Sequence, residues 1–95
     1  MAPIETWAVI SGFSGYHVSS RGRVRNANTK LVLAQRTCKT GDLIVNLAHG
    51  SGIAFCKVAH LVANEFVDNP CALKAIGFHD GNLMNCSASN LYFIH

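Results

Sequence analysis

Arg21, Arg23, Arg25 and Lys30 place half of the chain's eight Lys and Arg residues in a ten-residue stretch that contains no acid. Guanidinium groups make bidentate, charge-assisted hydrogen bonds to phosphate oxygens, so such a cluster suits a polyanion. Its spacing matters as much as its charge. In Arg23-Val24-Arg25 charged and apolar side chains alternate, and on a strand both arginines leave from one face while Val24 turns to the other. Two readings stay open, a phosphate-binding face and a merely solvated one. The net charge of +3 is a mild excess that identifies neither.

Other residues with chemical potential are more scattered. Asp80-Gly81-Asn82 could suggest a cation loop, but Gly after Asp is the usual composition of a tight turn that needs φ > 0, and the turn is preferred. Asn85 and Asn90 then serve as loop and strand-start residues that cap backbone groups. Cys38, Cys56, Cys71 and Cys86 form no Cys-x-x-Cys pair, so neither a zinc ribbon nor a redox dithiol is indicated. They are expected to be small buried hydrophobes, with a disulfide or metal site as the alternative. His17, His49 and His60 lack metal-ligand spacing and are assigned solvated or packed roles, and Trp7, Phe13 and Tyr16 are assigned to the core.

These groups need elements to hold them. Short apolar runs at 7–10 and 13–20 read as strands, followed by a turn at Arg21-Gly22 and the alternating segment that contains Arg23 and Arg25. Residues 30–34, 43–47 and 53–58 are further strand candidates, separated by the polar stretches 39–42 and 49–52. At Val58 the period changes: Val58, Leu61, Val62 and Phe66 fall at helical spacing, which predicts one helix at about 58–67, ended before Asp68-Asn69-Pro70. A strand at 75–78, a tight turn at 79–82 and a returning strand at 91–94 complete the chain. The fold class is therefore α+β, a small β-meander followed by one helix and a hairpin. A chain of 95 residues has room for one domain, divided into a β-rich part (1–57) and a helix-plus-hairpin part (58–95). With 49% apolar and 14% charged residues, disorder is excluded and some apolar surface is expected to meet a partner or a second copy. No apolar run approaches the ~20 residues that span a bilayer, and the first residues lack a secretion signal, so the cytoplasm is the expected compartment.

Two clusters in order carry a family resemblance. Trp7, Ile10, Gly12-Phe13, Gly15-Tyr16, Val18-Ser19 and Gly22-Arg23-Val24 resemble the N-terminal module of phage and intron HNH homing endonucleases. Leu61-Val62-Ala63, Phe66, Asn69-Pro70, Asp80-Gly81-Asn82, Asn85 and Asn90-Leu91 resemble the helix and HNH segment that follow. The likeness spans nearly the whole chain. It implies a ββα-metal unit in which an Asp or Asn next to a His precedes the Asp-Gly-Asn turn. The His takes a proton from water, and its neighbour helps bind one divalent cation, Mg or Mn.

Placed without a gap, the family's acidic position falls on Gly77 and its histidine on Phe78, neither of which can bind a metal or accept a proton. A one-residue shift brings His79 to the histidine position but leaves Phe78 where the ligand should be. The chain ends at His95, where the family's last helix would begin, so that helix's metal-binding residue is expected to have no counterpart. His60 stands where the family usually has Arg. The resemblance therefore implies a catalytically degenerate HNH-like protein with no cofactor, acting through Arg21, Arg23, Arg25 and Lys30 on double-stranded DNA or on a host nucleoprotein complex. Inhibition of a host defence system (CRISPR or restriction) is the leading expectation. A metal-dependent nicking enzyme using His79, and a plain DNA-binding module, are the rivals.

Overall fold

The computed structural model describes residues 4–95. Three antiparallel sheets surround one helix. The first holds β1 (Trp7–Ile10), β2 (Phe13–Ser19) and β3 (Val24–Asn26) in sequential order. A second holds β4 (Arg36–Thr37), β5 (Leu43–His49) and β6 (Gly52–Lys57). Helix α1 (Val58–Phe66) follows directly, and β7 (Ile76–Phe78) pairs with β8 (Leu91–Phe93) as a two-stranded sheet. A short 3-10 turn, Ala88–Asn90, leads into β8.

Alternation explains which faces are covered. Val45 and Leu47 of β5 are buried, while Ile53 and Phe55 of β6 lie on the outside at 63% and 66% exposure. In α1 the buried residues are Val58, Ala59, Leu61, Val62 and Ala63, the stripe that helical spacing predicts. Together with Ile10, Val18, Val24, Cys86 and Leu91 they form one core drawn from both ends of the chain. The helix stops at Val67, whose N–H donates to the Ala63 carbonyl, and Asn69 then closes a loop by bonding both backbone groups of Leu73. No helix among the described residues is long and apolar enough to cross a membrane.

The α+β class with its single helix is as the sequence implies, and two details within it are corrected. The predicted meander is two separate sheets, and the two-residue β4 was not anticipated. Residues 30–34 make no strand: Val32 forms only an isolated bridge with Arg25. The reason is local. The Asn26 side chain accepts from the N–H groups of Asn28 and Thr29, Lys30 takes a left-handed φ of 63°, and Leu31 and Val32 emerge with 67% and 49% exposure, so no core face rewards a ladder. The tight turn expected at 79–82 and the returning strand expected at 91–94 are both present. At the turn the Gly81 N–H donates to the Phe78 carbonyl, and β8 begins at Leu91.

The β2–β3 turn ties the two ends together. Gly22 has φ +89°, and a Cβ added to it would stand 3.0 Å from Cys86 Cβ. Beside it, the Ala88 N–H donates to the Ser20 carbonyl at 2.7 Å. Strain and overlap coincide at this glycine, so Gly22→Ala is expected to lower stability by about 2–4 kcal/mol, read as a fall in the thermal or denaturant midpoint.

Candidate functional site: a basic strand face and the hairpin loop

Register builds the basic face. Val9 pairs with His17 and His17 with Arg25, so these cross-strand neighbours share one side of the first sheet, opposite the buried Val18 and Val24. Trp7 lies on the same side, with the Arg25 guanidinium 4.0 Å and the Arg23 guanidinium 5.3 Å from its ring centroid. Arg23 and Arg25 thus leave from one face, as the alternation predicts. Trp7 is half-buried and forms the floor under both arginines, where its size alone had assigned it to the core. Its period-2 partner Val9, 53% exposed, carries the signal that places it on the outer face.

The four basic residues differ in what they already hold. Arg23 forms a bidentate ion pair with Glu5, its Nε donating to Oε2 at 2.8 Å and its terminal nitrogen to Oε1. Those Arg23 hydrogen bonds hold the Glu5 carboxyl down at about 2, and in turn raise Arg23. The charge of Arg21 also acts on Glu5. Arg25 donates from Nε to His17 Nδ1 at 3.3 Å, and Lys30 donates to the Ala27 carbonyl. Among the described residues no ion pair joins Arg25 or Lys30 to a carboxylate. Desolvation, and then the charges of Lys30 and Arg25, lower His17 from its ordinary value and favour the neutral ring.

At the hairpin, Asp80 is a hub of amide contacts. Its Oδ1 accepts from the Asn82 N–H at 2.8 Å and from Asn90 Nδ2 at 2.9 Å, and its Oδ2 accepts from Asn85 Nδ2 at 2.9 Å. These contacts, led by Asn85, hold its carboxyl below the usual range. The buried Asn90 returns the bond by accepting from the Asp80 N–H, and its own carbonyl accepts from His79 N–H. The capping role expected of Asn85 and Asn90 is met, with the carboxylate of Asp80 at its centre.

Gly77 and Phe78 stand where the resemblance places a metal ligand and a histidine. Phe78 packs against the core. Gly77 faces Tyr92 across the two strands, and the tyrosine ring lies over it: a Cβ at position 77 would be 2.3 Å from Tyr92 Cζ. His79 is exposed, with its ring 4.6 Å from that of Tyr92 at an interplanar angle of 34°. The residues at this position therefore do not fit a divalent cation, having neither donor atoms nor the space for them. Among the described residues no three His, Cys, Asp or Glu side chains converge as a metal cluster.

The remaining candidates resolve simply. All four cysteines are free: Cys86 is buried, its thiol pushed up to about 11 by desolvation, Cys38 and Cys56 are half-buried, and Cys71 is exposed, contrary to the expectation of burial. His49 packs on Phe13, and His60 keeps a buried Nδ1 without a hydrogen-bond partner. Tyr16 and Phe13 pack against the core, and the Tyr16 hydroxyl accepts from the Ala48 N–H.

With this geometry in place, comparison with known proteins assigns the class. The NUMOD4 motif matches residues 5–59, more than half of the chain, which belongs to the NUMOD4-bearing HNH homing-endonuclease family. An uncharacterized HNH endonuclease of Acanthamoeba polyphaga mimivirus is 28% identical over 88 residues, which are 93% of this chain and 26% of that protein. The solved HNH homing endonuclease I-HmuI, described for DNA binding and cleavage, superposes with a TM-score of 0.83 at 28% identity over 94% of this chain and 52% of its own. The chain thus spans about a quarter of the first relative and about half of the second.

The Glu5–Arg23 pair sets an acid limb. Because the Glu5 carboxyl is depressed when folded, its contribution to stability is full above the ordinary value of 4.5 and fades as pH falls toward about 2. Glu5→Gln is expected to be less stable than the parent at pH 7 and to converge with it by pH ~2, as read by denaturant midpoints along the pH series.

Proposed function

We propose that this chain is a non-catalytic double-stranded-DNA-binding module, using the outer face of the first sheet. One observation carries the reading: Arg25 lies on Trp7 with Lys30 nearby, two cations that among the described residues have no carboxylate to satisfy them. A guanidinium fixed on an indole loses less side-chain freedom when it meets a phosphate than one that moves freely. Phosphate contact needs no metal, so a family scaffold with Gly77 and Phe78 in place of donors keeps a binding role when it has no hydrolytic one. The DNA-binding homing endonuclease it resembles supports the choice of partner.

A second reading rests on a different surface. Ile53 and Phe55 are exposed on the outer face of the second sheet, with the Arg36 guanidinium 5.4 Å over the Phe55 ring. Exposed apolar side chains beside a cation suit a protein partner, and such a module could occupy a host defence nuclease or its DNA site as an inhibitor.

Anisotropy with a fluorescent duplex, measured from low to moderate salt, tests the DNA reading. Binding is expected to weaken linearly in log–log form, and Arg25→Ala and Lys30→Ala should each flatten the slope by about one. Absence of binding at low salt, or an unchanged slope in both variants, overturns it. Supercoiled plasmid with Mg²⁺ or Mn²⁺ tests the non-catalytic part. Intact plasmid is expected, and nicking that vanishes in His79→Ala would restore the nuclease alternative.

A further inference from the structure

Gly77 is buried in a short strand and its φ is not left-handed, so nothing in its backbone calls for glycine. The demand comes from across the hairpin. Tyr92 pairs with Gly77, and its ring folds over the glycine so closely that an added Cβ would meet Cζ at 2.3 Å, Oη at 2.5 Å and Cε1 at 2.8 Å. The same ring contacts His79 at 4.6 Å.

We propose that Tyr92 occupies the seat of the missing metal ligand, so that glycine at 77 and tyrosine at 92 are one coupled substitution that closes the hairpin to a divalent cation. The inference rests on the alignment that also underlies the non-catalytic reading, and it adds the residue that does the closing. A side chain restored at 77 has to evict the ring. Eviction separates the ring from His79 and exposes the strand backbone that the ring now covers, an aromatic cover being a known remedy for a glycine in a strand. Tyr92 is 39% exposed, so the ring has somewhere to go and the overlap need not unfold the chain. His79 lies outside the strand pair, its exposed ring against the same tyrosine.

A double-mutant cycle on the intact chain reads the coupling. With Tyr92 present, Gly77→Ala is expected to raise the unfolding constant by about two- to tenfold, the worth of an aromatic pair that displacement of the ring breaks. In the Tyr92→Ala background the same change is expected to be neutral or to lower the unfolding constant, because Ala suits a strand better than Gly once the space is open. An equal cost in both backgrounds overturns the proposal. The His79 ring protons supply a second readout: their ring-current shift should disappear in Gly77→Ala as fully as in Tyr92→Ala, and retention of the shift in Gly77→Ala also overturns it. Finally, Mn²⁺ added to the unmodified protein should broaden the amides of residues 76–82 no more than those elsewhere. Selective broadening there would sink the closed seat while leaving DNA binding untouched, and failure to bind DNA would leave the cycle unaffected.

Discussion

The structure depends on one nine-residue helix serving three sheets at once. Sheets of two or three short strands cannot bury a face by themselves, and an isolated two-stranded hairpin is marginal in water. Helix α1 supplies the shared wall: Val58, Val62 and Ala63 are fully buried, and Ala59 and Ala63 keep the helix thin where strands approach. The close approach of Gly22 to Cys86 and the Ala88–Ser20 hydrogen bond add a second clasp, from the first sheet to the hairpin loop. The basic face and the hairpin are therefore held in a fixed relation although they come from opposite ends of the chain.

Those two regions carry different things. The first sheet presents donors, with two cations on an indole floor, one of them bound to Glu5. At the hairpin the scaffold is intact but the strand position beside it, Gly77 and Phe78, has no side-chain donor or acceptor. Asp80 with Asn82, Asn85 and Asn90 organises the loop through amides alone. Loop-building asparagines do not depend on a metal, because their work is to satisfy backbone groups in a segment with no ladder of its own. This explains how the turn can persist in recognisable form beside a position that offers no ligand.

Much of this was legible in the sequence where period and breakers agreed. The runs at 7–10 and 58–67, the turn at Arg21-Gly22 and the common face of Arg23 and Arg25 follow from alternation, helical spacing and glycine, and the structure has them. Misreadings fell where tertiary context decides. Residues 30–34 are strand-like in composition, yet the Asn26 turn and the lack of a covering surface leave only one bridge. Trp7 resembles a core residue by size, but parity with Val9 turns it outward. Tyr92 was invisible for another reason: Leu91-Tyr92-Phe93 reads as any returning strand until pairing sets Tyr92 against Gly77. Composition gives no register across a connection that runs from 79 to 90.

The coupling proposed for Gly77 and Tyr92 constrains how the hairpin can change. With the tyrosine over that position, a mutation that places a ligand side chain at residue 77 meets a stability cost before it can confer any benefit, and a mutation that removes the tyrosine first uncovers a bare glycine. Neither order is free. Under that coupling the pair works as a latch: a ligand-bearing hairpin needs two changes together, whereas drift at the loop and on the sheet surfaces stays open one residue at a time.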